Sequence, residues 1–510
     1  MNSRLKKFKW NSILALIYQL ILVVTGFILP RLFLRFYGSE VYGLTTSITQ
    51  FLSFINLCDM GVTGVVSAAL YGPLARRDKK EISEIVVYAR KFFDIIGFIL
   101  LVYVIVLILA YPTFVANSFS LSFTITLILA MSISQFGQYF IGITNQILLN
   151  ADQKSYVQLL INGSTLILNT ITSIVIMYIG GSIQLVKLLT SLIYLIRPIL
   201  MKLYVRKKYD IDYSIKTSGK VIPEKWNGVI QHISYMIYQN TDVIVLTMFS
   251  TLSNVSIYSV YVLVVSSIKA FINAATTGIQ ALFGNMLANG EVKELRCAFD
   301  IYDWIIHTVA SLLFTITGEL IVPFVMIYSS GVNDAEYNAP VFAALITLAY
   351  GVIVLREGMY VLIRAAGCFR RTQTAAMFEA IINLTLSLLL VFHFGLIGVA
   401  LGTLIAASFF LVYEVYYFSS NILCRSAKKF IKQILVDVVQ VFFMVMGTQW
   451  INVAEDSYFH WGESACLVGI ICISISALIQ IIFYRPNMNM MISYIKNRFL
   501  RKHKKRIRIN

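Results

Sequence analysis

Charge is what this sequence lacks most. Only 13% of the 510 residues are charged, against about a quarter in soluble globular proteins. Apolar residues make up 58% of the chain, and the mean hydropathy is +0.77. So few charged side chains cannot cover a water-facing body of this length. The composition therefore excludes an ordinary soluble protein and predicts that lipid solvates most of the surface.

Sequence motifs of soluble enzymes are also missing. The chain contains no GxxxxGK[ST] phosphate loop, no HExxH, no GxSxG and no CxxC pair. We therefore expect a non-enzyme without a cofactor or a metal, driven by a gradient of Na⁺ or H⁺ or by the gradient of its own substrate. None of the six cysteines falls in a predicted outer loop, so no disulfide framework is implied.

Apolar runs of about 20 residues, the length that crosses about 30 Å of hydrocarbon, recur from end to end. The runs are continuous rather than alternating, which favours helices over the strands of a barrel. The first run is too long for a signal peptide and lacks a small-residue cleavage site, so it is interpreted as a retained span. We predict an all-α polytopic membrane protein of about 14 helices, with spans starting near Asn11, Val41, Ile85, Ser122, Val157, Ser182, Trp226, Ser253, Asp303, Ala339, Ala375, Leu396, Ile434 and Ser464.

The positive charge is distributed asymmetrically along the chain. All but six of the 42 Lys and Arg lie in alternate connections, in the two tails or in adjoining helix turns, whereas the outer loops around 334–336 and 455–463 are acidic. By the positive-inside rule, both termini and the even-numbered connections are cytoplasmic. The net charge of +17 therefore needs no nucleic-acid partner. We expect the basic C-terminal tail to rest on anionic membrane lipids.

An internal repeat divides the sequence. Residues 69–82, ALYGPLARRDKKEI, resemble residues 281–295, ALFGNMLANGEVKEL, at an offset of 212 or 213. At an offset of 214, Asn169, Ser173 and Gly181 recur as Asn383, Ser387 and Gly395, and the turn at Ala151 matches Ala365. This offset equals six spans, so the two copies share one membrane orientation and should be related by a pseudo-two-fold axis along the membrane normal.

The repeat predicts the domain organisation. Residues 1–205 form an N-lobe of spans one to six, and residues 226–424 form a C-lobe of spans seven to twelve. Residues 206–225 are a cytoplasmic linker, 425–486 are two extra spans, and 487–510 are a basic cytoplasmic tail. Two matched six-helix lobes facing a central cavity are typical of alternating-access transporters.

Six cations remain at membrane depth: Arg31, Arg35, Lys187, Arg197, Lys269 and Arg356. Those near predicted span ends can extend their charged groups to the interface. Lys269 lies near the middle of span eight, and Arg356 lies deep in span ten beside Glu357. A charge at that depth costs at least ~2.5 kcal/mol, so it normally faces water or an opposite charge. Two interpretations stay open, a cation lining a wet cavity and a structural ion pair.

Acidic residues within predicted spans are candidates for binding Na⁺ or H⁺. They are Asp59, Asp242, Glu319 and Glu357, and Asp242 is preceded by the polar residues Gln239, Asn240 and Thr241. Each could instead neutralise one of the buried cations or cap a kink. His307 and His393 lie near predicted helix ends, where solvated or capping roles suffice.

Three segments carry a resemblance to a known family. They are FYGSEVYGLTTSITQFLSFINLCDMGV at 36–62, ALYGPLARRDKKEI at 69–82 and YQNTDVIVLTMFSTLSNVSIYSVY at 238–261. These segments resemble the polysaccharide exporters, the Wzx-like flippases of lipid-linked oligosaccharides. These exporters belong to the multidrug/oligosaccharidyl-lipid/polysaccharide (MOP) superfamily. The same superfamily includes the multidrug and toxin extrusion (MATE) carriers and the lipid II flippases.

The resemblance implies a fold of two six-helix lobes, often with two added spans. It also implies a substrate made of polyprenyl pyrophosphate carrying an oligosaccharide of capsule, O-antigen or exopolysaccharide, moved from the inner to the outer leaflet of a bacterial plasma membrane. Glycosyltransferases and a glycan polymerase of the same pathway are the implied protein partners.

The resemblance also directs attention to particular residues. Lys269 lies on span eight, where lipid II flippases also place a cavity cation. Those flippases have a basic residue in the middle of span one, where this chain is apolar and Arg31 and Arg35 lie farther out. The candidate pyrophosphate-binding residues are Lys269, Arg356, Arg31 and Arg197, and the candidate ion-coupling residues are Asp242, Asp59, Glu319 and Glu357.

Two alternative functions fit the sequence less well. A MATE-type antiporter of cationic drugs would need acidic residues to dominate the cavity, whereas deep cations are at least as numerous here. A membrane glycan polymerase or ligase generally displays large outer loops with catalytic groups, and the outer loops of this chain are short.

Overall fold

A computed structural model describes residues 2–59, 62–115, 118–215, 229–276, 279–366, 369–421 and 426–507. Within these ranges the side chains of residues 2–9, 12, 59, 229–232, 275–276, 281, 364, 369–371 and 489–507 are not described.

The regular structure of the described ranges is entirely helical. Two local variations are a 3-10 turn at Phe54–Asp59 and a π-helical stretch at Gln138–Gly142. Ser120 and Ser182 cap two of the helices through their hydroxyls. The helices are α1 (Asn2–Ser53), α2 (Val62–Arg76), α3 (Lys79–Val115), α4 (Leu121–Gly137), α5 (Ile143–Ala151), α6 (Ser155–Tyr178), α7 (Ile183–Lys208), α8 (Val229–Phe249), α9 (Leu252–Thr276), α10 (Ile279–Ala288), α11 (Val292–Tyr328), α12 (Pro340–Leu355), α13 (Glu357–Ala365), α14 (Phe369–Phe394), α15 (Leu396–Asn421), α16 (Ala427–Thr448) and α17 (Tyr458–Ile507).

Most of these helices are long enough to cross a membrane. Twelve helical stretches in the described residues have the required length and apolar composition. The first of them, Ile13–Cys58, is divided by a kink at Gly38, whose φ of 82° ends one helix and begins another. The 21-residue α8 lies outside the twelve. The predicted fold class, an all-α polytopic membrane protein of about 14 spans, is therefore confirmed.

The internal repeat is visible in the helix lengths. Helices α3 and α11 each contain 37 residues, and α7 and α15 each contain 26. The short helices α5 and α13 each contain nine residues and end at Ala151 and Ala365, the two positions matched in the sequence. Both follow an interruption of the preceding span, at Gln138–Gly142 in one copy and at Arg356 in the other.

The chain forms two compact units. Unit 1 contains 1–263, 331–336 and 376–399, and unit 2 contains 264–330, 337–375 and 400–510. In unit 1, Phe93, Tyr111 and Leu148 are among the fully buried core residues. In unit 2, a smaller apolar cluster of Met444, Val468 and other residues packs on α11. The predicted lobes 1–205 and 226–424 stay a prediction, and the linker predicted at 206–225 lies outside the described residues from 216 onward.

Within unit 1, the part of α1 after Gly38 packs closely through small residues four positions apart. Ser39 donates from its backbone N and its Oγ to the Asp334 carboxylate, at 2.6 and 2.7 Å. A Cβ at Gly43 would overlap the Leu252 carbonyl oxygen at the start of α9. Small residues at this spacing let helix backbones approach within the membrane. We call Ser39, Gly43 and Ser47 the small-residue seam.

Ser47 is the third residue of the seam and joins two other helices. Its Oγ accepts hydrogen bonds from the Tyr111 hydroxyl of α3 at 2.8 Å and from Thr247 Oγ1 of α8 at 2.7 Å. One turn and a half further along, Ser53 Oγ donates to Asn240 Oδ1 of α8 at 2.8 Å. These bonds fasten α1 to α8 along one face.

The seam predicts the effect of adding a single methyl group. Gly43→Ala should destabilise the protein by about 1–3 kcal/mol, because overpacking against backbone cannot be relieved by a side-chain rotation. Gly26→Ala on the same helix is the matched control, since nothing lies within 4 Å of a Cβ there. Thermal unfolding of the purified variants in detergent measures both. Equal melting temperatures for the two variants would contradict the close approach.

Candidate functional site

Lys269 lies on α9, in the 18th position of that 25-residue helix. Its side chain is half-buried, and its Nζ lies 5.8 Å from the centre of the Tyr350 ring on α12, in the same unit. This distance is near the outer limit for a cation–π interaction. The structure therefore places Lys269 well inside an apolar helix, as the sequence predicted, beside an aromatic ring. That Lys269 lines a hydrated cavity stays a prediction.

Arg356 occupies the break between α12 and α13. It follows Leu355 at the end of α12, and Glu357 begins the first turn of α13. The guanidinium carbon lies 4.5 Å from the centre of the Phe410 ring on α15, well within the range of a cation–π contact.

The other two candidate cations belong to unit 1. Arg197 on α7 lies with its guanidinium carbon 3.8 Å from the centre of the Tyr194 ring, and its Nε donates to Thr165 Oγ1 at 2.7 Å. Arg31 is half-buried in α1, directly after Pro30. The four candidate pyrophosphate-binding residues thus fall two in each unit, and their convergence on one ligand stays a prediction.

Asp242 is the candidate carboxylate with the most completely defined surroundings. It is buried in α8, where its Oδ2 accepts from the Tyr258 hydroxyl of α9 at 2.8 Å. Its Oδ1 accepts from Asn383 Nδ2 of α14 at 3.3 Å. Asn383 is one of the residues that the internal repeat identified. Of the predicted polar cluster, Thr241 Oγ1 donates to the Ile237 carbonyl oxygen and Asn240 Nδ2 donates to the Met236 carbonyl oxygen, so both side chains bond back to α8.

The remaining acidic candidates are less informative. Glu319 is half-buried in α11, and Glu357 is half-buried in the first turn of α13. Asp59 ends the 3-10 turn after α1, and its side chain lies outside the described residues. The coupling roles suggested for these three residues stay predictions.

The expectation for His307 is wrong. His307 is neither near a helix end nor solvated, because it is fully buried as the 16th residue of α11. The error arose because α11 begins at Val292, eleven residues before the predicted start of the span. A signal was present in the sequence, since Asp303, His307 and Ser311 recur four residues apart and so share one face of the helix.

Comparisons with known proteins bear on this arrangement. No protein-family model and no curated protein sequence matches the chain. A structure of the lipid II flippase MurJ in an inward closed conformation is similar with a TM-score of 0.69 at 17% identity, covering 94% of this chain and 99% of that one. The chain has the fold of the MOP transporters.

Two further structures support this assignment of the fold. An inward-facing multidrug resistance MATE family transporter of the MOP superfamily has a TM-score of 0.56 at 15% identity, covering 79% of this chain and 95% of its own. An outward-facing multidrug resistance MATE family transporter has a TM-score of 0.51 at 14% identity, covering 82% of this chain and 97% of its own. All three neighbours are membrane transporters or flippases, and identities this low establish the shared MOP fold alone.

The hydrogen bonds of Asp242 predict how unit 1 responds to its replacement. Asp242→Ala removes the acceptor of both Tyr258 and Asn383 and should cost about 1–3 kcal/mol of stability. Asp242→Asn keeps an acceptor oxygen of the same shape and should cost less. Thermal unfolding in detergent compares the two. An Ala variant as stable as the Asn variant would show that these bonds do not support the fold.

Proposed function

We propose that this protein is a flippase for polyprenyl-pyrophosphate-linked oligosaccharides, which it moves from the inner to the outer leaflet of a bacterial plasma membrane by alternating access. Both termini lie in the cytoplasm in this proposal, in accordance with the distribution of Lys and Arg. The substrate lipid stays in the bilayer while its charged headgroup crosses between the two lobes.

The observation that carries the proposal is the combination of the fold with cations inside apolar helices. The likeness to a lipid II flippase covers more of this chain than the likeness to the MATE transporters. A pyrophosphate must enter the membrane interior together with positive charge, because its desolvation is otherwise prohibitive. Lys269 and Arg356 supply two such charges in unit 2.

The aromatic rings beside these cations are suited to such a role. The face of a ring stabilises a cation through its quadrupole while leaving the full charge in place. Tyr350 and Phe410 can therefore stabilise the charged groups of Lys269 and Arg356 in an apolar environment. Arg356 adds a planar donor array that matches phosphate oxygens in a bidentate manner.

The small-residue seam is suited to serve as the outer gate in such a mechanism. It joins α1, from the predicted N-lobe, to α8, α9 and Asp334, from the predicted C-lobe, near the predicted outer ends of these helices. Delivery to the outer leaflet would require these contacts to separate. The seam is made of short side chains and a few hydrogen bonds, so few polar contacts have to break for it to open.

Removing the two cations should stop translocation without preventing insertion. We expect the double variant Lys269→Ala/Arg356→Ala to reduce flipping at least about tenfold, because lost charge-assisted hydrogen bonds are worth about 1.5–3 kcal/mol each. The measurement is a leaflet-specific assay of lipid-linked glycan in cells that lack the native protein.

The matched control for this experiment is Lys269→Arg with Arg356→Lys, which keeps both charges and should retain more activity. Full transport by an Ala double variant that is expressed and inserted like the unmodified protein would reject the assigned role.

A cross-link across the seam tests alternating access. In a background with the six native cysteines replaced by Ser, Ser47→Cys/Thr247→Cys should form a disulfide, because the two native oxygens are only 2.7 Å apart. We expect the oxidised protein to be inactive and reduction to restore flipping. The single variant Ser47→Cys controls for the lost hydrogen bonds. Undiminished flipping by fully oxidised protein would contradict a gate at the seam.

One observation favours a second function, that of an ion-coupled multidrug antiporter. Asp242 is a buried carboxylate that accepts hydrogen bonds from Tyr258 and Asn383, and buried carboxylates in membrane helices mark cation or proton sites. Drug accumulation in cells with and without the protein, under an imposed gradient of H⁺ or Na⁺, distinguishes the two functions. Drug export that depends on Asp242, without glycan flipping, would favour the antiporter.

A further inference from the structure

The polar face of α11 meets two polar helices in unit 2. Asp303, His307 and Ser311 lie four residues apart on α11, and all three are buried. Opposite them are Asp437 and Gln440 on α16 and Gln480 on α17, which are also buried. Buried ionisable groups in membrane helices are rare and costly, and they mark proton or substrate pathways when they occur together.

His307 is bracketed by two carboxylates. Its Nδ1 lies 2.6 Å from Asp437 Oδ2, a short hydrogen-bond distance, and its Nε2 lies 3.8 Å from Asp303 Oδ1. The side chains of Asp303 and His307 are 0% and 1% exposed, and that of Asp437 is 9% exposed. Both ring nitrogens therefore face an acid, and Asp437 is the member nearest to the surface.

Neutral hydrogen bonds hold these helices together beside the ionisable groups. Trp304 Nε1 donates to Gln480 Oε1 at 2.7 Å, and Gln480 Nε2 donates to Gln440 Oε1 at 2.7 Å. Gln440 Nε2 then donates to Ser311 Oγ at 2.8 Å. None of these groups titrates near neutral pH, so the chain of bonds keeps α11, α16 and α17 in register whatever the charge of the histidine.

Charge balance decides how many protons the three ionisable groups hold. With two protons the set is neutral, as an imidazolium beside one carboxylate and one carboxylic acid or its tautomers. Losing a proton makes the set −1, and gaining one makes it +1. A low-dielectric interior favours the neutral form over the charged ones. Binding of one proton by the −1 form, an imidazolium between two carboxylates, gives this neutral form and creates one carboxylic acid.

The surrounding charges are of both signs. On α16, Lys429 pairs with Asp300 at 2.9 Å, and Lys432 lies 5.5 Å from the centre of the Tyr484 ring of α17. Asp303 faces α13, since a Cβ at Gly358 would lie 3.3 Å from Asp303 Oδ1, and Glu357 precedes that glycine. Glu414 is buried on α15, which contacts α11 through the Phe299 and Phe418 rings. The Tyr302 ring of α11 also lies beside Gly358.

We propose that Asp303, His307 and Asp437 form a buried proton-binding site, which takes up and releases one proton at the junction of α11 with α16. The ligand is H⁺, and the proton moves between an imidazole nitrogen or a carboxylate oxygen and water reached past Asp437. The site includes none of the candidate coupling residues Asp242, Asp59, Glu319 and Glu357, and it does not depend on the proposed flippase function.

The test is pH-difference infrared spectroscopy of the full chain in lipid nanodiscs. Protonated carboxylic acids absorb apart from carboxylates, so acidification should produce a band equivalent to one carboxyl per chain. Asp303→Asn or Asp437→Asn should remove that band, and His307→Gln should shift the pH at which it appears. Asn and Gln preserve hydrogen-bonding shape and therefore favour a folded variant.

His460→Gln is the matched control. His460 forms the same kind of pair with Asp456, Nδ1 to Oδ2 at 2.8 Å, but both side chains are exposed, and the hydrogen bond from His460 lowers the pKa of the Asp456 carboxyl. This variant should leave the buried band unchanged. If an Asn variant fails to fold, Asp303→Glu and Asp437→Glu keep the carboxyl and should move the frequency of the band. A band that is the same in all the cluster variants, or no band at all, would overturn the proposal.

Discussion

Hydrocarbon offers no hydrogen-bond partners, so every polar side chain within the membrane helices must be satisfied by another part of the chain. This constraint explains the arrangement of both units. In unit 1, Ser47 receives bonds from two helices and Asp242 from two others. In unit 2, Gln440 of α16 accepts a hydrogen bond from Gln480 of α17 and donates one to Ser311 of α11. The apolar surface faces lipid, and specific contacts between helices come from these few polar groups.

The deep cations follow a related rule with different partners. Four of the six found in the sequence have their charged group over an aromatic ring of the same unit: Lys187 over Phe33, Arg197 over Tyr194, Lys269 over Tyr350 and Arg356 over Phe410. A ring is apolar toward lipid and attractive toward a cation. Such pairs stabilise positive charge at membrane depth.

Much of the fold was predictable because it depends on properties that are local in sequence. Apolar run length determined the spans, and the repeat anticipated the paired helices that end at Ala151 and Ala365. The site was less predictable because its contacts are remote. His307 meets Asp437 130 residues later, and Ser39 meets Asp334 295 residues later. Helix periodicity can identify the polar face of α11, but it cannot say which helix covers that face.

The network around Gln440 has a consequence for biogenesis. Trp304 of α11 is separated from Gln480 by 176 residues, and Ser311 from Gln440 by 129. During synthesis α11 therefore leaves the ribosome long before its partners exist. Until α16 and α17 emerge, its polar stripe must be shielded by the insertion machinery or by water at the membrane surface. Helices α16 and α17, which have no counterparts in the repeat, thus complete the polar contacts of unit 2 last.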